Sequence, residues 1–142
     1  MKPIANSQLT GKWYNIARTR NFFEMNFVEI FLYISIAYEN YLDLLYVGVK
    51  GDRSKVLKKL TLKILTKNDV NFIILRKGLF KKTFRILTFD GKNGIFILSD
   101  KKMKYLSILS RKPTLSHETV ENYLKQIKDV DGEIELFSNS IV

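Results

Sequence analysis

From Trp13 to Arg111 the sequence falls into short apolar runs separated by turn-forming residues, the pattern of an all-β chain. The runs predict strands near 12–19, 28–38, 41–49, 56–66, 69–77, 82–89, 94–99 and 104–111. Between them lie Glu39-Asn40, Gly51-Asp52-Arg53-Ser54, Lys67-Asn68-Asp69, Lys77-Gly78, Asp90 to Gly94 and Asp100-Lys101-Lys102. Their Gly, Asn and Asp residues tolerate the positive φ that hairpin connections need. Eight strands joined this way form an up-and-down meander, and closing it into a barrel removes both exposed edges. The expected fold is therefore all-β: an eight-stranded antiparallel up-and-down barrel. No repeat or linker divides the 142 residues, so one domain is expected over 1–142.

Alternation sorts the faces of some strands. In "VLKKLTLKIL", Leu60, Leu62 and Ile64 share one face, with Lys59, Thr61 and Lys63 on the other. In "NYLDLLYV", Leu42, Leu44 and Tyr46 face one way and Asp43 the other. Strands such as "FLYISIAY" are apolar in both phases and give no inside or outside. After Pro113 the period changes. "SHETVENYLKQIKDVDG" puts Val120, Tyr123, Leu124, Ile127 and Val130 on one helical face, with Ser116 as N-cap and Gly132 as the stop. This C-terminal helix is expected to pack its apolar stripe on the outside of the barrel; lying on a membrane surface is the alternative.

The chain has no Cys and a single His, His117, which reads as an exposed first-turn helix residue. Disulfides, thiolate metal sites, a cysteine nucleophile and a multi-histidine metal site are thereby excluded. No Gly-rich phosphate loop or nucleophile–base pair is present, so the chain reads as no enzyme, with no catalytic residue, cofactor or metal expected. The formal net charge of +10 favours anionic partners. Met1 to Leu9 lacks the apolar stretch of a secretory signal. The expected location is periplasmic or secreted if a signal has been removed, and cytoplasmic if Met1 is the native start.

Two distant stretches carry a family likeness. "GKWYNIAR" resembles the Gly-x-Trp signature that opens the first strand of lipocalins, and "KYLSILSRKPTLSHETVENYLKQIKDVDGEI" resembles their last strand, closing arginine and following helix. The likeness is to the bacterial and apolipoprotein-D-like branch in particular, where the strand ends in Leu-Ser-Arg-x-Pro-Thr. In "TFDGKNGIFIL", Asp90 matches a family Asp, but Asn93 stands where the family has a Tyr. The resemblance implies a lipocalin-like barrel whose closed base holds Gly11, Trp13, Asp90 and Arg111, with the arginine packed over the tryptophan ring. Strand order allows it: in an eight-strand meander the first strand begins, and the eighth ends, at the same rim.

The opposite rim is then the mouth. It carries Arg18, Arg20, Glu24 and Glu29, then Lys50, Asp52, Arg53 and Lys55, then Arg76, Lys77, Lys81 and Lys82, and finally Asp100, Lys101, Lys102 and Lys104. Twelve of these are basic and four acidic, so the positive excess gathers there. An eight-stranded barrel has room for one small ligand in a mostly apolar pocket. The expected lining is Leu42, Leu44, Tyr46, Leu60, Leu62, Ile64, Phe72, Ile74, Phe84 and Ile86, with Tyr105, Ser107 and Leu109 from the last strand. "NFFEMNF" (Phe22, Phe23, Met25, Phe27) falls where lipocalins have a lid. The function expected is binding of a fatty acid or lysophospholipid, with its tail in the barrel and its anionic head at the basic rim. The alternative is a filled barrel whose basic surface binds a polyanion or an anionic membrane.

Overall fold

In a computed structural model, the structure describes residues 3–21, 23–38, 40–127 and 134–137. A short helix α1 (Asn6–Leu9) leads into eight strands: β1 (Gly11–Thr19), β2 (Phe27–Tyr38), β3 (Tyr41–Lys50), β4 (Lys55–Lys67), β5 (Val70–Lys77), β6 (Phe80–Asp90), β7 (Ile95–Ser99) and β8 (Leu106–Ser110). Helix α2 (His117–Lys125) and a short strand β9 (Ile134–Leu136) follow. Every neighbouring pair from β2 to β8 is antiparallel, β8 pairs with β1, and β1 closes on β2, so the meander is a closed barrel. Strand β1 does this in two halves. Gly11 to Tyr14 pair with β2, whereas Ala17 to Thr19 pair with β9, which takes over the edge that β2 has left. The sequence did not suggest α1 or β9, because neither is long enough to show a period.

Alternation governs the interior. The inner stripe of β4 is Leu60, Leu62 and Ile64, and its partners across the ladder are Leu44 on β3 and Ile73 on β5. Here one expectation is corrected. Phe72 and Ile74 lie on the outer face of β5; Asn71, Ile73 and Leu75 take the inner one, with Ile73 opposite both Ile64 and Phe84. The run Val70 to Leu75 is apolar in both phases except at Asn71, and a polar residue inside a barrel argues against that phase. Asn71 is nevertheless fully buried, because its Oδ1 accepts from the Thr66 hydroxyl at 2.6 Å and the Ile4 amide at 3.4 Å. A satisfied buried amide carries little penalty.

The core divides in two. Ile4 and Leu9 from the N-terminal segment meet Trp13, Leu42, Ile86 and Phe96 in a plug at the base of the barrel. The second cluster lies outside the wall, where Ile16, Ile95, Ile97, Leu106 and Ile108 pack against Leu115, Val120, Tyr123 and Leu124. Ser116 caps α2 by accepting from the Thr119 amide at 3.2 Å. The helix ends at Lys125, where the Gln126 and Ile127 amides bond three residues back and tighten the last turn. Val130 and Gly132 lie outside the described residues.

Candidate functional site

The strand directions put the closed and open ends on opposite rims. At the base the Arg111 guanidinium lies 3.8 Å from the centre of the Trp13 ring. Its nitrogens donate to the carbonyls of Gln8 at 2.9 Å and Lys12 at 3.3 Å. Gly11 and Gly94 make room for it. Both have positive φ, and a Cβ on either would fall within 2.8 Å of an Arg111 atom. Trp13 donates from Nε1 to the Leu9 carbonyl at 2.8 Å and meets Phe96 edge-on at 4.5 Å. Asp90 is on this rim but apart from the pair. Its carboxylate accepts from the Asn93 amide and side chain and from the Tyr123 hydroxyl at 2.8 Å, tying the β6–β7 turn to α2.

Above the plug the barrel encloses a cavity of about 440 Å³. Leu44, Tyr46, Leu60, Leu62, Phe84, Tyr105, Ser107 and Leu109 line it where the sequence put them. Leu42, Ile64 and Ile86 are also on the inner face, but lower, within the packed plug. The lining further includes Ile30, Leu32 and Ile34 from β2, Ile73 and Leu75 from β5, and Phe96 and Leu98 from β7. The β2 residues were hidden in a strand apolar in both phases. Asn15 enters from β1, where the Ser107 hydroxyl donates to it at 3.1 Å.

Polar groups gather toward the mouth. Lys58, Lys82 and Lys104 all border the cavity. Lys82 and Lys104 were expected at the rim; Lys58 was missed, although the Leu60-Leu62-Ile64 phase extended two residues back points to it. Arg53 and Lys102 stand exposed on hairpin tips, and Lys77 flanks the Gly78 turn. Arg76 and Lys81 oppose one another on the outer face, a phase set by the inward Ile73, Leu75 and Phe84. Arg20 is exposed and held by Glu135 at 2.7 Å. Arg18 departs most from expectation: it is buried. It pairs with Glu135 at 2.9 Å and Glu24 at 3.4 Å, donates to the Glu24 carbonyl at 2.7 Å, and stacks on Phe137.

The first loop is likewise turned over relative to expectation. Phe23 and Met25 point outward, 84% and 58% exposed, although Phe23 still borders the mouth. Phe27 sits against Gly48, where any Cβ would meet its ring at 2.6 Å. Phe22 lies outside the described residues. The residue that points in is Glu24, which accepts from Tyr46 at 2.5 Å, Asn21 at 2.8 Å and Tyr105 at 3.3 Å. Burial first, and then the charge of Glu24, pushes both phenols far above their usual range, so they stay protonated donors. A carboxylate with three donors and a cation is a better anchor for a loop than two solvated rings.

Asp90 and Glu135 are both held below the usual carboxylate range, Asp90 chiefly by the Asn93 side chain and then Tyr123, Glu135 chiefly by Arg20 with Arg18 assisting. A group with a depressed folded pKa adds stability above its unfolded value and loses it as pH falls through the folded one. Both sites are solvent-screened, so a shallow fall in urea midpoint is expected below about pH 4. Glu135→Gln is expected to flatten part of it; an unchanged slope would deny the clasp a share. Among the described residues, no group of three or more His, Asp or Glu converges as a metal site would require.

A family model described as "Lipocalin-like domain" matches residues 52–134. No curated protein matches the chain by sequence. Among solved structures it is similar to the cockroach allergen Per a 4, at 14% identity and TM-score 0.68, with 98% of this chain and 89% of that one covered. It is also similar to the siderocalin Ex-FABP, described as acting through dual ligand specificities, at 16% identity and TM-score 0.64, covering 91% and 93%. A third is insecticyanin from the tobacco hornworm Manduca sexta, at 17% identity and TM-score 0.64, covering 96% and 82%. At these identities the likeness is one of fold.

Proposed function

Since the chain belongs to the lipocalin-like family, whose barrels hold small hydrophobic ligands, we propose that it binds an anionic amphipath, a fatty acid or lysophospholipid, without chemical conversion. The observation that carries this reading is the segregation of the lining. Aliphatic and aromatic side chains surround the lower cavity, whereas Lys58, Lys82 and Lys104 border its mouth. The nearest carboxylate, Glu24, is already occupied by Arg18 and does not cancel them. An apolar tail would gain by leaving water, and an acidic head would meet the lysines at the exit. The 440 Å³ space supports an open barrel over a filled one.

The test is a titration with a fluorescent fatty acid beside its neutral methyl ester, at low and high salt. The acid is expected to bind one-to-one, survive high salt, and bind about tenfold more tightly than the ester, a modest ratio because rim charges are partly solvated. Lys58→Met, Lys82→Met and Lys104→Met together keep the apolar stems and are expected to abolish that ratio while leaving ester binding in place. Equal binding of acid and ester by the unaltered protein would remove the head-group assignment. Binding that collapses with salt would favour the polyanion alternative.

A further inference from the structure

We infer that the open end of the barrel is a docking face for an anionic lipid bilayer. The β5–β6 connection is the shortest at the mouth: Lys77 pairs with Phe80, leaving Gly78 and Leu79 as the turn. Gly78 supplies the positive φ that such a turn requires. Leu79 needs no such freedom and is fully exposed, and the adjoining Phe80 is 55% exposed. Turn tips are ordinarily polar, so a leucine there has no folding rationale. Across the mouth, the first loop presents Phe23 and Met25 in the same way.

These apolar tips stand within a ring of exposed cations: Lys50, Arg53, Lys55, Lys77, Lys101 and Lys102. Exposed apolar side chains occur at the base as well, in Ile36, Tyr38 and Leu65. There, however, the described turn charges balance, Lys67 and Lys92 against Asp69 and Asp90. At the mouth the apolar tips stand in a net excess of cations, the acids Glu29, Asp52 and Asp100 being outnumbered. That combination matches the bilayer interface, where cations meet anionic head groups and short apolar side chains reach the acyl boundary. Nucleic acid would use the cations and stack on aromatic rings, but it offers nothing to Leu79 or Met25. Docked this way, the cavity opens onto the lipid. The inference concerns the outer surface of the rim and stands whatever occupies the cavity.

The full-length chain is to be sedimented with vesicles of phosphatidylcholine alone and of phosphatidylcholine with phosphatidylglycerol. Binding is expected to the anionic vesicles and to be weak on the neutral ones. Leu79→Asp is expected to weaken it about tenfold, and Lys101→Glu about fivefold. Leu79 does not border the cavity, so fatty-acid binding by Leu79→Asp without vesicles should equal that of the unaltered protein, which separates loss of docking from loss of the ligand site. In Leu79→Trp, emission should shift to the blue on anionic vesicles, against a constant background from buried Trp13. The inference is overturned if the protein ignores anionic vesicles. It is equally overturned if Leu79→Asp binds normally and the Leu79→Trp emission does not move, the result a purely electrostatic polyanion surface would give.

Discussion

Trp13→Ala is expected to cost the fold about 3–5 kcal/mol, the range for removing a large aromatic side chain from a packed core. Three losses coincide at that position. The ring is buried to 1% and abuts Phe96, so its removal opens a void in the base plug. The Leu9 carbonyl loses its buried donor, and the Arg111 guanidinium loses the face on which it rests. Trp13→Phe keeps much of the packing and forfeits the hydrogen bond, so about 1–2 kcal/mol is expected. Urea denaturation followed by circular dichroism measures both without relying on the residue removed. A loss below about 1 kcal/mol in Trp13→Ala would mean the base is not the keystone described above.

Glu24→Ala is expected to cost about 3 kcal/mol and to free the first loop. Breaking a buried ion pair from one side usually costs about 3–5 kcal/mol, and Arg18 keeps Glu135, which places this case at the low end. The substitution also strands the Tyr46 and Tyr105 hydroxyls, which would then need water as their acceptor. Glu24→Gln retains acceptors and loses charge, so a smaller loss is expected. Amide exchange at Phe27, whose N–H donates to the Glu24 carbonyl at 3.1 Å, should quicken in Glu24→Ala. Unchanged exchange there would show that something other than Glu24 fastens the loop.

The eight barrel strands, the hairpin positions and the outward helix were legible because turn residues punctuate the chain and the period changes after Pro113. The base was legible through two motifs nearly a hundred residues apart, joined by the direction of the strands. Side-chain phase was legible only where polar residues marked one face. Strand β4, with its alternating lysines, was read correctly; β5, with one polar residue that turned out to be inside, was read a residue out of step. Charge was harder still. Arg18 and Arg76 look alike in sequence, yet one is sealed between Glu24, Glu135 and Phe137, and the other lies on the outer wall. The first loop inverted because hydrogen-bond satisfaction outweighed hydrophobicity: Glu24 found three donors, and Phe23 and Met25 were left in solvent. Tyr123 could not have been anticipated as the partner of Asp90, because only the docking of α2 brings its hydroxyl to that turn.

The central claim, an apolar tail descending toward the base, can be read from the protein's one tryptophan. Phe96 borders the cavity and touches Trp13, so a quencher at the cavity floor lies close to the indole. The measurement is Trp13 emission during titration with two brominated fatty acids, one carrying bromine at the end of the tail and the other next to the carboxylate. Saturable quenching by the tail-brominated acid, with little by the other, is the predicted result. Equal quenching by both, stronger quenching by the carboxylate-brominated acid, or none from either would contradict it.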